Sequence, residues 1–178
     1  MQADQKKMPL VAAMLKYKKE QVYPFHTPGH KGGRGMEPLL AGELGAGALQ
    51  MDVSLMAELD DIHCPEGCIA AAQTLAAQLY GSDRCFFAVN GTTQAIQAML
   101  MTAVKPGGKV LIPRNAHRSV AGGLLLGDLE PVYVLPQFDA VFGINTQVTA
   151  GQIEEALQKD PSIKAVLLTS PNYYGQAA

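Results

Sequence analysis

A glycine followed by two hydroxyl side chains stands between an apolar segment and an amphipathic one. The sequence Asn90-Gly91-Thr92-Thr93 follows the apolar residues 85–89 and precedes a run with helical spacing. Unpaired backbone N–H groups and the positive end of the helix dipole bind phosphate, and glycine permits the tight turn. We therefore predict a phosphate site at Gly91, Thr92 and Thr93. An ordinary helix N-cap, in which a threonine hydroxyl pairs with these amides, is the alternative.

A histidine flanked by arginines follows a second apolar segment. It lies in Pro113-Arg114-Asn115-Ala116-His117-Arg118-Ser119, directly after residues 110–112. An imidazole in this position could stack on an aromatic cofactor or move a proton, and the guanidinium groups could bind carboxylate or phosphate. A polar cap on the next helix fits the same residues.

A third polar turn, Ser170-Pro171-Asn172-Tyr173-Tyr174-Gly175, carries an amide and two phenols after the apolar residues 165–169. A simple surface turn is its alternative.

These turns have one feature in common, which is that each follows a short apolar segment. We predict strands over residues 85–89, 110–112, 132–135 and 165–169, and helices over residues 65–80, 92–104, 119–126 and 149–159. Short apolar strands that alternate with helices favour right-handed crossovers and a parallel sheet covered on both faces. The predicted class is α/β, as an incomplete three-layer α/β/α domain with a mainly parallel sheet. Sites in such sheets lie beyond the carboxyl ends of the strands, where all three turns fall.

The first 50 residues differ in character from the rest. Residues 8–21 have helical spacing, and residues 23–35 combine prolines, glycines and histidines in an irregular stretch. Residues 37–50 could form a helix, although three glycines oppose it. We therefore expect a helical and irregular amino-terminal arm over residues 1–50 and the first part of a truncated larger domain over residues 51–178.

Composition limits the classes of function. The 178 residues are 48% hydrophobic and 17% charged, with a net charge of −2. This composition predicts a globular chain without an electrostatic affinity for nucleic acid or for anionic membranes. No apolar run reaches the roughly 20 residues that span a bilayer. Three cysteines without a convincing export signal favour reduced thiols and a cytoplasmic location.

The segment Pro24-Phe25-His26-Thr27-Pro28-Gly29-His30-Lys31-Gly32-Gly33 resembles the amino-terminal signature of the bacterial Orn/Lys/Arg decarboxylases. These enzymes use pyridoxal 5'-phosphate and have the aspartate-aminotransferase type of fold (fold type I). Later motifs follow in the family's order: Leu59-Asp60-Asp61-Ile62-His63, then the three polar turns described above. The resemblance extends from Tyr17 to Ala178.

The resemblance implies decarboxylation of ornithine, lysine or arginine, and a homodimer or larger assembly for the full-length protein. It assigns Gly91, Thr92 and Thr93 to the phosphate loop. It also assigns His117 to the histidine that stacks on the pyridine ring and assists proton transfer. Arg118 stands where relatives often have lysine, which keeps the charge and changes its geometry. The resemblance leaves open which amino acid is the substrate, and it leaves open the roles of Asp60, Asp61, His63 and Arg118.

Two groups that this chemistry needs have no match in the sequence. A lysine must hold the cofactor as a Schiff base, and a carboxylate must keep the pyridine nitrogen protonated. No Ser-x-His-Lys or Asp-Glu-x-His motif occurs, and His30-Lys31 belongs to the amino-terminal signature. We therefore expect a fragment of the large domain that is inactive alone. The alternative is a non-catalytic remnant that binds only phosphate, cofactor or a partner subunit.

A metal site is not expected either. Cys64 and Cys68 beside His63 lack the second ligand pair of a zinc site, so a buried helix start is the better interpretation.

Overall fold

The computed structural model describes residues 4–177, which form two compact units that divide between residues 87 and 88. Helices α1 (Pro9–Glu20), α2 (Pro38–Leu44), α3 (Ala46–Leu49) and α4 (Cys68–Tyr80) belong to the first unit. The second contains α5 (Gly91–Ala103), β1 (Lys109–Pro113), α6 (Arg118–Leu126), β2 (Glu130–Val134), β3 (Phe138–Asp139), β4 (Ile144–Asn145), α7 (Ala150–Lys159) and β5 (Ile163–Val166). The predicted separation of an arm over residues 1–50 from a domain over residues 51–178 stays a prediction.

The helices of the amino-terminal unit begin and end at recognisable signals. Pro9 occupies the first turn of α1, where its missing N–H costs no hydrogen bond. Gly81 ends α4 in the left-handed conformation, as predicted from the glycine after Tyr80. The single helix considered over residues 37–50 is instead two helices, because Gly45 adopts a φ of 79° between them.

The carboxyl-terminal unit contains the predicted parallel sheet. Its strand order is β2-β1-β5, and both pairings are parallel. The register with β2 runs from Lys109 opposite Glu130 to Pro113 opposite Val134. The α/β class is therefore confirmed. A short antiparallel hairpin, β3 with β4, was not predicted, because strands of two residues carry no readable alternation.

Helices cover both faces of this sheet, as the sequence predicted. Alternate residues of β1 point to opposite faces, so Val110 and Ile112 contribute to one apolar cluster and Leu111 to another. The first cluster includes Leu100 of α5, with Val120 and Leu124 of α6, and the second includes residues of α7. Val110 and Leu111 have no exposed surface, so the central strand lies at the centre of the unit.

The predicted strand over residues 85–89 is wrong. The segment contains no strand, and Phe86 and Val89 are 76% and 74% exposed. Apolar side chains make a segment compatible with a sheet, but a strand also needs a neighbour for its N–H and C=O groups. No strand among residues 4–177 pairs with this segment.

The helices are also too short or too polar for a membrane. Among residues 4–177, none has the length and apolar character needed to cross a bilayer.

Gly123 provides a test of the packing between α5 and α6. A Cβ on Gly123 would lie 2.7 Å from Leu100 Cδ1 and 3.4 Å from Gln97 Cα. Because Leu100 is buried and cannot turn away freely, we expect Gly123→Ala to destabilise the carboxyl-terminal unit by about 1–3 kcal/mol through overpacking. Urea unfolding followed by circular dichroism measures this change.

The matched control is Gly151→Ala in α7, where a Cβ would meet no atom within 4 Å. The urea concentration at which half of Gly151→Ala is unfolded should stay the same as in wild type or rise slightly, because alanine favours the helix. Equal destabilisation by both substitutions would contradict close packing at Gly123.

Candidate functional site

The amino terminus of α5 has free donors. Asn90 occupies the N-cap position but makes no side-chain cap hydrogen bond, and Gly91 turns the chain with a φ of 73°. Gly91, Thr92 and Thr93 are exposed, and a Cβ on Gly91 would meet nothing within 4 Å. The alternative of a threonine hydroxyl that caps these amides is therefore not observed among the described contacts. The first turn presents backbone N–H groups, two hydroxyls and the positive dipole end to solvent.

His117 is the N-cap of α6, and Ser119 holds its ring. The backbone N–H of Ser119 donates to Nδ1 at 3.2 Å, and the Ser119 hydroxyl lies 2.8 Å from the same nitrogen. Because Nδ1 accepts the N–H, the neutral ring carries its proton on Nε2. Ser119 is buried whereas His117 is exposed, so a fixed residue orients an accessible imidazole.

The topology brings these two sites to the same edge of the sheet. His117 follows the carboxyl end of β1 by four residues. Helix α5 is about 20 Å long, and a short turn joins its carboxyl end to the amino end of β1. The helix packs back along β1, which is about 17 Å long, so the two elements have similar lengths and run in opposite directions. The amino end of α5 therefore returns to the edge where β1 ends. By this geometry Gly91–Thr93 and His117 lie at the same edge, which is where sites form in parallel sheets.

The third polar turn follows β5 at the same edge. Asn172 Oδ1 accepts hydrogen bonds from the backbone N–H groups of Tyr174 and Gln176, and this closes the turn. The Gln147 side chain donates to the carbonyl oxygens of Thr169 and Gln176 at 2.9 and 2.8 Å. Tyr173 is 94% exposed. Hydrogen bonds therefore hold this turn in one conformation, with the Tyr173 phenol exposed to solvent. The contribution of Gln147 to the turn could not be predicted from the sequence.

Asp60 is the strongest electrostatic feature of the amino-terminal unit. Its carboxylate accepts hydrogen bonds from five backbone N–H groups, those of Asp61, Glu66, Gly67, Ile69 and Ala70. The bond from Glu66 lowers the pKa of Asp60 most, partial burial opposes it, and further backbone bonds bring the pKa well below its usual range. The ionised carboxylate therefore anchors the start of α4, where the dipole favours negative charge.

The roles of Asp60, Asp61 and His63 are open from the sequence, and the structure gives Asp60 a structural role. An N-cap is recognised in a sequence as an acceptor side chain directly before the first residue of the helix. Asp60 accepts from the start of α4 although it lies eight positions before Cys68, so this rule does not identify it. Asp61 closes its own turn by accepting the His63 N–H at 2.8 Å.

The two histidines of the amino-terminal signature are both engaged. His26 Nδ1 contacts the Thr27 carbonyl oxygen and therefore carries a proton, so the Tyr17 hydroxyl donates to Nε2 at 2.8 Å. His30 accepts the Gly33 N–H at Nδ1 and lies 3.0 Å from Asp52 Oδ2 through Nε2. These contacts fix the irregular segment as a structured turn.

The cysteine-histidine cluster shows no metal site. Within residues 4–177, no three His, Cys, Asp or Glu side chains form a metal-binding group. The Cys68 thiol donates to the Leu59 carbonyl at the start of α4, and burial raises its pKa.

Comparisons with known proteins agree on one family. Residues 8–178 match the family model described as Orn/Lys/Arg decarboxylase, major domain. Arginine decarboxylase of Halalkalibacterium halodurans is 39% identical over 98% of this chain, and that of Bacillus subtilis is 38% identical over 98%. The structure of the constitutive lysine decarboxylase of Escherichia coli superposes with a TM-score of 0.78 at 29% identity, over 94% of this chain and 25% of that one. The chain spans about a third of the length of these two arginine decarboxylases, 35% and 36% respectively.

The Asp60 anchor predicts a pH-dependent stability. A carboxylate whose pKa is lowered on folding contributes stability that is complete above its ordinary pKa of 3.8 and is lost as the pH falls toward the folded value. Asp60→Asn replaces one acceptor oxygen with an NH₂ group that faces N–H donors. We expect the variant to unfold at a lower urea concentration at pH 7, with the difference from wild type shrinking steadily below about pH 4.

Asp83→Asn is the control, because Asp83 is an exposed carboxylate beyond the carboxyl end of α4. It should unfold at the same urea concentration as wild type, both at pH 7 and below about pH 4. Faster hydrogen exchange of the Ile69 and Ala70 amides in Asp60→Asn shows that the lost stability lies at the start of α4. A difference for Asp60→Asn that stays constant from pH 7 to pH 2 would contradict the anchor.

Proposed function

The chain belongs to the Orn/Lys/Arg decarboxylase major-domain family, and from this membership we propose that its carboxyl-terminal unit forms the phosphate and ring sites of a pyridoxal 5'-phosphate enzyme. The observation that supports this proposal is that Asn90 makes no side-chain cap at the amino terminus of α5, which the topology puts at the same sheet edge as His117. The proposed reaction of the full-length protein is decarboxylation of ornithine, lysine or arginine.

The residues present fit the phosphate of the cofactor. A phosphate needs several converging donors and a backbone that permits close approach. The first turn of α5 offers its N–H groups and the Thr92 and Thr93 hydroxyls, and Gly91 leaves open space where a side chain would otherwise stand. We assign Gly91, Thr92 and Thr93 to phosphate binding.

His117 fits the pyridine ring. Its imidazole is exposed on a helix start whose backbone is fixed, and Ser119 holds Nδ1 so that the ring keeps one orientation. A flat, oriented ring can stack on an aromatic cofactor, and the proton on Nε2 can be donated to a reacting group. We assign to His117 both ring stacking and proton transfer, the latter through Nε2.

The cofactor, when bound, supplies an electron sink for the pair released as carbon dioxide leaves. The chain's own residues bind its phosphate, orient its ring and hold a proton at Nε2 of His117. Neither motif that the family uses for the covalent lysine or the ring-nitrogen carboxylate occurs in the 178 residues. We therefore propose that these residues alone do not decarboxylate.

The relatives support the proposed substrate class, and the family resemblance is the basis for the proposed assembly. Arginine decarboxylases match over 98% of this chain, and a lysine decarboxylase structure matches over 94%. A basic amino acid is therefore the proposed substrate, and a cytoplasmic homodimer or larger assembly is proposed for the full-length protein. The second candidate is a non-catalytic remnant that binds phosphate, cofactor or a partner subunit.

Pyridoxamine 5'-phosphate tests the phosphate site without covalent chemistry, because an amine cannot condense with lysine. We expect it to bind the 178-residue chain more tightly than pyridoxamine, since only the first carries phosphate. The double variant Thr92→Val, Thr93→Val should weaken its binding by about a hundredfold, because each lost hydrogen bond to a charged group costs about 1.5 kcal/mol. Isothermal titration calorimetry gives both affinities.

Thr102→Val is the matched control, because Thr102 lies on the same helix with its hydroxyl bonded to the Ala98 carbonyl. It should leave both affinities unchanged. His117→Ala should weaken pyridoxamine and its phosphate alike, since it removes the ring contact. Equal binding of the two ligands to wild type would reject the phosphate site.

The proposed inactivity of the isolated chain has its own test. With pyridoxal 5'-phosphate and arginine, lysine or ornithine, we expect no release of carbon dioxide above the protein-free rate. Borohydride reduction should not place one cofactor per chain on one lysine, as mass spectrometry of peptides will show. A stoichiometric adduct on a single lysine would show that this chain supplies its own covalent anchor.

A further inference from the structure

A cavity of about 500 Å³ lies within the amino-terminal unit, beside α1 and the signature segment 24–33. This volume is typical of small-molecule sites. The charged side chains that line it are Lys18, Lys19, Lys31, Arg34 and Asp52, and the imidazole of His26 lies beside them. None of the residues assigned to the cofactor, Gly91–Thr93 and His117, contributes to its wall.

The wall of this cavity carries an excess of positive charge. Four cationic side chains face one carboxylate, in a chain whose net charge is −2. That carboxylate, Asp52, is already bonded to His30 Nε2 at 3.0 Å. The cavity therefore has a local charge opposite in sign to that of the chain, and it attracts anions.

Three of the four cations, Lys18, Lys19 and Arg34, make no hydrogen bond or ion pair among the described residues. Within residues 4–177, no hydrogen bond or ion pair engages the side chain of Lys18, which is half-buried, or the guanidinium of Arg34, which lies 5.1 Å from the Tyr23 ring centroid. Lys31 donates to the His26 carbonyl oxygen, which leaves two of its three protons. By contrast, Lys16 on the same helix as Lys18 pairs with Glu20 at 3.8 Å.

The framework around these donors is fixed. Tyr17 is buried in α1 and donates to His26, while Lys31 bonds to the backbone of the same residue. Gly47 in α3 approaches Lys18 so closely that a Cβ there would lie 3.2 Å from Nζ. The ammonium and guanidinium groups therefore surround a cavity whose backbone is held in place before any ligand arrives.

We propose that this cavity binds a small phosphate-bearing anion, with Lys18, Lys31 and Arg34 as its charged donors. Several separated cations suit a dianion with three terminal oxygens better than a single carboxylate, because each oxygen can accept from a different donor. The ligand is either free phosphate or a small phosphorylated molecule, and the volume accommodates both.

The test uses inorganic phosphate and pyrophosphate as probes on the ¹⁵N-labelled 178-residue chain, with ionic strength held constant by chloride. We expect saturable shifts of the Lys18, Lys31, Gly32 and Arg34 amides. Equal affinities indicate a site for free phosphate, and tighter binding of pyrophosphate indicates a larger phosphorylated ligand. Shifts that do not saturate, or that are confined to residues 91–93, overturn the proposal.

Two substitutions remove the site in different ways. Lys18→Gln deletes a cation, whereas Gly47→Asp adds a carboxylate beside Lys18 and leaves every cation in place. Each should weaken the tighter-binding probe by about tenfold. Lys16→Gln on the same helix should leave the affinity unchanged. Unchanged binding in both cavity variants, or equal weakening in the Lys16 variant, overturns the proposal.

Discussion

Burial of β1 on both faces is the constraint on which the carboxyl-terminal unit depends. Val110 and Leu111 have no exposed surface, and their side chains enter different apolar clusters. Such a strand requires a neighbour on each side and helices above and below, which β2, β5, α5, α6 and α7 supply. The crossover helix α6 then starts at the carboxyl edge of the sheet, and α5, which packs on β1 and is joined to its amino end, starts at the same edge. The proposed cofactor residues share an edge as a result of how the core is buried.

Much of this arrangement could be predicted from local signals. Thr149 and Gln152 form the capping box that begins α7, and Gly81 ends α4, so a cap residue and a terminating glycine marked the correct positions. The apolar run that contains Val110 was short, and it lay between helical patterns. Those features predict a buried parallel strand because both of its faces must be apolar.

What could not be predicted depends on partners distant in sequence or on backbone angles. The segment 85–89 has the composition of a strand, but pairing decides whether a strand forms, and one segment carries no information about its neighbour. Asp60 accepts N–H groups up to ten positions away, beyond the range of any helix-cap rule. The contact between Ser119 and His117 was easier to predict, because the two residues are only two positions apart in the sequence.

The described residues contain three physically different arrangements of hydrogen-bond donors for negative charge, and the kind of donor determines what each arrangement suits. At Asp60 the negative group belongs to the protein itself, and it accepts from five backbone N–H groups. These donors therefore stabilise the fold and are not available to a ligand. At Gly91–Thr93 the same kind of donor is uncapped and exposed, so an external anion can complete it. Around Lys18 the donors are flexible ammonium and guanidinium groups, whose attraction is screened by salt and less demanding in geometry. Backbone donors at a glycine turn therefore suit a cofactor that must be held in one orientation, whereas the cavity suits an anion whose charge matters more than its shape.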